Sequence, residues 1–241
     1  MVPAVVYVQN ISKRYGRLTA LSNVGFAIRP GEILGLIGPN GSGKTTLFEC
    51  VAGVLPADSG TVVVNDREVV LCNRHTVLFY LPDAIQPWAA QTVRWALDFT
   101  LRYFDGRAEL RDELVRRFEL EPLLGSTVGS LSKGQRKRAL LAFGLLMPQP
   151  ILLADEPFDG LDLRQAREAA AAPREHVSGR RTLFLSIHQI ADAARICDRF
   201  VLLSAGRVCG EGTLPELAAL AAARTEGPPP QDLEEVFLAL T

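Results

Sequence analysis

Gly38-Pro39-Asn40-Gly41-Ser42-Gly43-Lys44-Thr45 stands between a short apolar run, Glu32 to Ile37, and a helical pattern, Thr45 to Val54. The apolar run is typical of a buried strand, so the local order is strand, glycine-rich loop and helix. The motif matches GxxxxGK[ST], and the elements expected on either side make the match credible. The sequence therefore predicts a loop that binds phosphate groups at the start of a helix.

Each residue type in this phosphate loop (38–46) has a chemical purpose. Glycines let backbone N–H groups turn inward around phosphate oxygens, with the positive end of the following helix behind them. We expect Lys44 to neutralise charge on the β- and γ-phosphates and Thr45 to offer its hydroxyl to Mg²⁺. The predicted nucleotide contacts are Gly38, Pro39, Asn40, Gly41, Ser42, Gly43, Lys44, Thr45 and Thr46.

A second motif is the apolar run Ile151 to Ala154, which ends in Asp155 and Glu156. Successive residues of a strand point to opposite faces, so the two acids are expected to do different work. Asp155 suits the surroundings of Mg²⁺, and Glu156 suits polarising an attacking water. Together with Lys44, Glu156 is a candidate catalytic residue.

The rest of the chain predicts an α/β fold, a P-loop NTPase core with a mainly parallel sheet and flanking helices. Two extended runs, Val5 to Val8 and Leu21 to Ile28, indicate an N-terminal antiparallel β region before the loop. A helical pattern interrupts the strands between Pro82 and Pro148. The predicted units are an ATP-binding core at 1–82 and 149–225, a helical insertion at 83–148, and a linker with a short helix at 226–241.

Composition excludes several other classes of protein. The 241 residues carry 26 Lys and Arg against 27 Asp and Glu, so no global charge attracts a polyanion. We therefore expect no nucleic-acid partner. The longest clean apolar run, Ala139 to Met147, is too short to span a membrane, and Met1 to Asn10 lacks the pattern of a secretory signal. These features favour a cytoplasmic protein.

A third motif, Leu131-Ser132-Lys133-Gly134-Gln135, resembles the LSGGQ signature of the ATP-binding-cassette (ABC) ATPases, with Lys133 in place of the middle glycine. Alone, the string would be read as a helix N-cap. Its place between the phosphate loop and the acidic strand makes the family interpretation stronger. The resemblance implies that Ser132, Lys133, Gly134 and Gln135 contact ATP held by a second chain.

Further positions match the family's pattern. Tyr15 matches the aromatic that stacks on adenine, although a lone aromatic in a β-rich segment more often packs in a core. Asp162 matches the D-loop at the dimer seam. His188 matches the switch histidine that contacts the γ-phosphate and completes the catalytic set with Glu156 and Lys44, although a lone His is usually structural.

The resemblance implies a function as well as a fold. Members bind ATP and Mg²⁺, dimerise head to tail, and couple dimer closure and hydrolysis to transport through separate membrane-spanning permease subunits. The second nucleotide-binding subunit is identical or different, and the protein lies peripherally on the cytoplasmic face of the membrane. Lys133, Pro82 and the ending Asp232 to Phe237 look most like the ABC-2-type exporters, which favours export. Trp88 and Trp95 either form part of a groove for the permease or belong to the core of the insertion.

One position departs from the family's pattern. Where the family has a glutamine at the start of the helical insertion, this chain has Asp83 after Pro82. An aspartate could hold Mg²⁺ through water but would also repel phosphate. We expect Asp83 to keep the metal-sensing role, and Gln86 is the alternative.

Two other functions compete with transport. A soluble ABC ATPase could act on nucleic acid, a ribosome or a protein assembly, and the basic cluster Lys133, Arg136, Lys137 and Arg138 keeps this alternative open. The simpler explanation of the cluster is a solvated helix face. A regulatory module that binds ATP without hydrolysing it is disfavoured by the intact Lys44, Glu156 and His188.

Overall fold

The computed structural model describes residues 6–104, 108–161, 181–225 and 228–241, which form two sheets and seven helices. The strands are β1 (Val6–Tyr15), β2 (Leu18–Ile28), β3 (Ile33–Ile37), β4 (Ser59–Val64), β5 (Arg67–Glu68), β6 (Leu78–Leu81), β7 (Ile151–Ala154), β8 (Thr182–Ile187), β9 (Arg199–Ser204) and β10 (Arg207–Gly212). The helices are α1 (Lys44–Ala52), α2 (Val93–Tyr103), α3 (Ala108–Arg117), α4 (Lys133–Leu146), α5 (Ile190–Ile196), α6 (Leu214–Thr225) and α7 (Leu233–Leu240).

The six-stranded sheet has the order β10-β9-β3-β8-β7-β6. Its strands are parallel except for β10, which pairs antiparallel with β9 at one edge. The smaller sheet, β2-β1-β4-β5, is antiparallel throughout. The predicted α/β class, with a mainly parallel sheet and an N-terminal antiparallel region, is therefore confirmed.

Two apolar cores lie on the two faces of the six-stranded sheet. In β3, Leu34 and Leu36 face the core shared with α1 and the smaller sheet, whereas Ile33 and Ile37 face the core shared with α2 to α7. This division follows from the alternation of side chains along a strand. Since both faces are covered, β3 is apolar and buried along its whole length, which explains its near-continuous hydrophobic sequence.

Parallel pairing brings the ends of neighbouring strands to one edge. Leu81 of β6 lies opposite Ala154 of β7, so the segments after these strands start side by side. The phosphate loop after β3 and the turn after β8 open on the same edge, because β3 and β8 are parallel. Ligands of such sheets bind outside the carboxyl ends of the strands. The site is therefore assembled from loops that are distant in the sequence.

Details of the predicted elements need correction. The helical pattern expected directly after Pro82 begins only at Val93, because residues 82–92 form turns and a loop. The strand β10 was not predicted. The helices α2, α3 and α4 do fall within the insertion 83–148, and the division into core, insertion and C-terminal segment is kept as a proposal. In the described ranges, no helix is both long and apolar enough to cross a membrane.

Candidate nucleotide site

Close packing fixes the path of the phosphate loop. A Cβ at Gly38 would lie 2.3 Å from the carbonyl oxygen of Leu203, the next-to-last residue of β9. Gly43 has φ +103°, and a Cβ there would lie 2.7 Å from the carbonyl oxygen of Ala20 in β2. A larger residue at either position would collide with backbone, so glycine is required by the fold itself.

The start of α1 offers free donors to an anion. Gly43 is the N-cap residue and has no side chain with which to cap the helix. The hydroxyl of Ser42 is buried and has no hydrogen-bond partner among the residues that the structure describes. Backbone N–H groups at a helix N-terminus favour negative charge, so this loop fits a phosphate group.

Lys44 folds over the same loop. Its ammonium donates to the carbonyl oxygens of Gly38, at 2.8 Å, and Pro39, at 3.3 Å. The residue is only 6% exposed, and this burial lowers the pKa of Lys44, while the charges of Glu156 and Asp155 act in the opposite direction. A buried cation close to free N–H donors is suited to a polyanionic ligand such as a nucleoside triphosphate.

Asp155 links the phosphate loop to the acidic strand end. One carboxylate oxygen accepts a hydrogen bond from the Thr45 hydroxyl at 2.8 Å, and the other accepts one from the Ser186 hydroxyl at the end of β8. Asp155 is 4% exposed. A hydroxyl and a carboxylate are hard oxygen ligands of the kind that Mg²⁺ prefers, so the pair fits that ion.

Glu156 points to a different part of the site from Asp155. Together with His188 it lines a cavity of about 190 Å³. Glu156 has φ +47°, a left-handed conformation that costs a residue with a side chain about 1–2 kcal/mol. Its N–H donates to Ser186 Oγ at 2.9 Å, and its carbonyl accepts from Lys137 at 2.7 Å. Backbone strain that neighbours hold in place is typical of functional sites.

The burial of Lys137 shows that the basic cluster is not wholly a solvated helix face. Its side chain is 5% exposed, and its ammonium forms an ion pair with Asp83. Arg138, the next residue, pairs with Glu119. One ligand oxygen from each of Asp83, Glu156 and Asp159 lies within 4.8 Å of the others. The insertion therefore brings a buried cation to a group of acids.

The signature residues lie at the N-terminus of α4. Ser132 caps the helix, since its hydroxyl accepts from the Gln135 N–H and its own N–H donates to Gln135 Oε1. Lys133 pairs with Asp159 at 2.5 Å; this hydrogen bond raises the pKa of Lys133 and lowers that of Asp159. A Cβ at Gly134 would lie 2.8 Å from the Gly160 carbonyl oxygen. The motif is thus both a helix cap and a surface with an exposed serine and lysine.

The remaining predicted residues lie in different surroundings. Tyr15 is 47% exposed at the end of β1, with the Lys13 ammonium 5.8 Å from its ring centre, so it does not pack in a core. Asp83 belongs to the acidic group, whereas Gln86 is exposed on the following loop. Asp162 lies outside the described residues.

Trp88 and Trp95 are 36% and 40% exposed, so the alternative that both belong to the core is wrong. Trp95 stacks on Phe99 with ring centres 5.0 Å apart, and Phe99 stacks on Tyr103 at 5.8 Å. Trp88 packs edge-on against Phe99. The aromatic ridge comprises Trp88, Trp95, Phe99 and Tyr103. Its three residues on α2 border a groove of about 520 Å³.

Comparison with known proteins tests the family resemblance that rests on the phosphate loop, the acidic strand end and the signature. The family model described as ABC transporter matches residues 21–159, more than half of the chain. The chain belongs to the ABC transporter family. Chains of this family are ATPases that drive transport, and this ABC chain is accordingly an ATP-binding, transport-coupled ATPase.

Relatives and solved structures agree with this assignment. A probable sulfate/thiosulfate import ATP-binding protein of Chlorella vulgaris is 31% identical over 220 residues, which cover 88% of this chain and 93% of the relative. The lipopolysaccharide export system ATP-binding protein of Escherichia coli is 29% identical over 223 residues, covering 89% and 92%. A solved ATP-binding subunit of an ABC transporter has a TM-score of 0.84 at 27% identity, covering 98% of this chain and 99% of that one.

Sequence reasoning missed two residues of the ABC chain's site, Ser186 and Lys137. The sequence motifs assign no role to Ser186. The run Thr182 to Ile187 is apolar after its first residue except for the hydroxyl of Ser186. That hydroxyl is a usable signal, because buried polar groups need hydrogen-bond partners. Lys137 gave no such signal, since its neighbours in sequence are also basic.

Proposed function

We propose that this chain is the ATP-hydrolysing subunit of an ABC exporter, with the residue roles that the sequence predicts. The observation that carries the proposal is the divided acidic strand end. Asp155 is hydrogen-bonded to Thr45 of the phosphate loop, while Glu156 lines the cavity with His188. One carboxylate is thereby available to a metal and the other to a water molecule.

ATP binding falls to the phosphate loop and Tyr15. The N–H groups at the start of α1 and the Lys44 ammonium receive the phosphates, with residues Gly38 to Thr46 around them. The exposed ring of Tyr15, at the end of the hairpin whose Ala20 contacts Gly43, provides a face for adenine.

Thr45 and Asp155 would hold Mg²⁺, and Asp83 is the further proposed metal residue. When bound, the ion neutralises charge on the β- and γ-phosphates. The hydroxyl of Thr45 and the carboxylate of Asp155 are already oriented towards one another by their hydrogen bond. The donors are all oxygen atoms, which suits Mg²⁺.

For hydrolysis, Glu156 acts as the general base. Its carboxylate accepts a proton from a water molecule, the water oxygen bonds to the γ-phosphorus, and the bond from that phosphorus to the β,γ-bridging oxygen breaks. His188, on the same cavity, holds the γ-phosphate through a ring N–H. Lys44 stabilises the charge that develops on the phosphate oxygens.

A second nucleotide-binding subunit, identical or different, completes the site. Ser132, Lys133, Gly134 and Gln135 of one chain would contact ATP bound to the other, with Asp162 at the seam between them. The exposed position of Ser132 and Lys133 at a helix N-terminus supports this arrangement. Closure of the pair on ATP, and reopening after hydrolysis, would drive the transporter.

The aromatic ridge is the proposed docking surface for a membrane-spanning permease subunit. Exposed aromatic side chains are frequent anchors of protein interfaces, and four of them form one continuous surface here. Docking there would place the chain peripherally on the cytoplasmic face of the membrane. Export is the proposed direction because Lys133 and Pro82 resemble the exporter group.

Replacing both Trp95 and Phe99 with Ser is expected to lower permease recovery at least about tenfold, because the stacked pair forms the middle of the ridge and aromatic side chains anchor interfaces. The measurement is affinity purification of the tagged chain from its native membranes in mild detergent, with partners quantified by mass spectrometry. Leu238→Ser is the matched control, since Leu238 is 72% exposed on α7, away from the ridge.

A polytopic protein recovered in stoichiometric amount by the wild type and by Leu238→Ser, and lost from the double variant, supports the proposal. Equal recovery by the double variant would move the docking surface elsewhere. Ribosomal, DNA-bound or soluble partners without a membrane protein would favour the soluble ATPase instead.

Asp83→Ala is expected to lower ATP turnover and to raise the Mg²⁺ concentration for half-maximal activity, whereas Gln86→Ala stays close to wild type. Asp83 lies among the acids of the site, and Gln86 is exposed on the next loop. Steady-state ATPase assays over a Mg²⁺ titration measure both quantities. Unchanged activity of Asp83→Ala with loss of activity in Gln86→Ala would transfer the role to Gln86.

A further inference from the structure

Lys137 connects three separate elements around the proposed general base. It projects from the first turns of α4, and its ammonium forms an ion pair with Asp83, which follows β6. The same nitrogen donates to the backbone carbonyl of Glu156, which follows β7, at 2.7 Å. The carbonyl oxygen of Asp155 lies at 3.4 Å. One cation thus holds the insertion, the segment after β6 and the acidic strand end together.

The ammonium has no donor left over for a ligand. A lysine has three N–H donors and no acceptor, and three protein oxygens surround this one. Lys137 is also only 4% exposed. Its action on the reaction must therefore pass through the groups that it contacts, in contrast to Lys44 at the start of α1.

The contact that matters is the one to the Glu156 backbone. Glu156 is left-handed; its N–H donates to Ser186, and its carbonyl accepts from Lys137 at 2.7 Å and from the Asp159 N–H at 3.2 Å. Such a conformation persists only when its surroundings impose it. The direction of the side chain follows from the backbone, so these hydrogen bonds together fix where the carboxylate points, and the bond from Lys137 is the shorter of the two to the carbonyl.

A purely stabilising role explains the charge poorly. Bringing an ammonium out of water is costly, and a buried ion pair often adds no more stability than apolar residues of the same size would. Asp83 offsets the charge of Lys137, and the pair lies against the catalytic strand end. Specificity of conformation at Glu156 is a benefit that an apolar side chain could not supply, because it has no donor for the carbonyl.

We propose that Lys137 is a positioning residue for ATP hydrolysis, which holds the Glu156 backbone in its left-handed conformation with Asp83 as counter-ion. The inference rests on the proposed role of Glu156 as general base. It predicts that Lys137 affects the chemical step and leaves nucleotide binding unchanged, because its contacts lie on the Glu156 side of the site and its donors do not reach the phosphate loop.

The test compares four variants with the wild type. Lys137→Met removes the ammonium and keeps the length of the side chain, and Lys137→Arg keeps a charged donor. Arg138→Met is the matched control, since Arg138 is the next residue of α4, is 12% exposed, and contacts Phe118 and Glu119. Glu156→Gln reports on the general base itself. The readouts are kcat, KM, the Kd of a non-hydrolysable ATP analogue, and the melting temperature.

Lys137→Met is expected to lower kcat about 10- to 100-fold with KM and Kd within about twofold of wild type, as expected when a reacting group is misplaced. Lys137→Arg is expected to recover part of that loss, and Arg138→Met to keep the wild-type kcat. An unchanged kcat in Lys137→Met, or an equal loss in Arg138→Met, overturns the positioning role.

Two further results distinguish failure of the proposed role of Glu156 from failure of the positioning role of Lys137. If Glu156→Gln keeps wild-type turnover, the proposed role of Glu156 fails; if it loses turnover while Lys137→Met does not, only the positioning role fails. Should Lys137→Met not fold, Lys137→Arg decides. A lower kcat at unchanged Kd and melting temperature supports the inference, and a wild-type kcat overturns it.

Discussion

Glu156→Gln is expected to lower ATP turnover by about 10²–10⁴-fold, the range for removal of a positioned general base. Glutamine has nearly the same size and keeps an oxygen in the cavity beside His188, but it cannot accept the proton of the attacking water. Affinity for ATP stays close to wild type, since the phosphate loop is untouched. The measurements are single-turnover hydrolysis and equilibrium binding of ATP.

The variant also tests the head-to-tail pair. A chain that binds ATP without hydrolysing it should accumulate as a closed dimer, because reopening depends on hydrolysis. Size-exclusion chromatography with and without ATP measures this. Glu121→Gln is the matched control, because Glu121 is an exposed glutamate in the turn before the signature. Turnover that persists in Glu156→Gln would mean that another group activates the water.

Local patterns sufficed for the central part of the fold. The run before Gly38 is apolar without interruption because both faces of β3 are buried, and the glycines of the loop follow from contacts with Leu203 and Ala20. The constraints come from distant residues, but the residues that meet them, an apolar run followed by glycines, are contiguous in the chain and are therefore visible in a short window of sequence. The separation of Asp155 from Glu156 is expected from strand alternation, but β7 ends at Ala154, and the left-handed backbone of Glu156 turns its side chain away from Asp155.

Other features depend on what packs against them. The strand β10, Arg207–Gly212, contains two glycines and two charged residues, so its sequence looks like a turn. It is a strand because it pairs with the edge of β9. It lies at the edge of the six-stranded sheet, so it has a strand partner on one side only, and its short sequence shows little apolar alternation.

The basic cluster shows most clearly that burial can depend on residues that are distant in the sequence. Lys137 and Arg138 read as a solvated face because four of the six residues Lys133 to Arg138 are basic. Burial of Lys137 is decided by Asp83, which is 54 positions away in sequence, and by the end of β7. No window along α4 contains that information. The same limit applies to Ser186, whose partners are Asp155 and the Glu156 N–H.

Lys44→Met is expected to weaken ATP binding by about 10- to 100-fold, which is the usual contribution of a hydrogen bond from a charged group. It is also expected to lower kcat by a further factor of about 10²–10³. The ammonium lies in the phosphate loop beside the carbonyls of Gly38 and Pro39, so it meets the phosphates both in the bound state and during transfer. Isothermal titration of ATP and steady-state turnover separate the two effects.

Stability should move little in Lys44→Met, which distinguishes it from a variant that merely unfolds. Burial lowers the pKa of Lys44, so the charged form is disfavoured in the fold relative to the unfolded chain. Below the lowered pKa, Lys44 is charged in the folded protein, and this buried charge opposes folding. Methionine removes that cost, but it also removes two hydrogen bonds to carbonyl oxygens. Because the two effects oppose one another, the melting temperature without ATP should stay near wild type, whereas the rise in melting temperature that ATP causes should shrink.

Arg67→Met, which removes an exposed cation from β5, should leave binding, turnover and the ATP-induced rise as they are. Wild-type affinity in Lys44→Met would show that the helix N-terminus alone holds the phosphates.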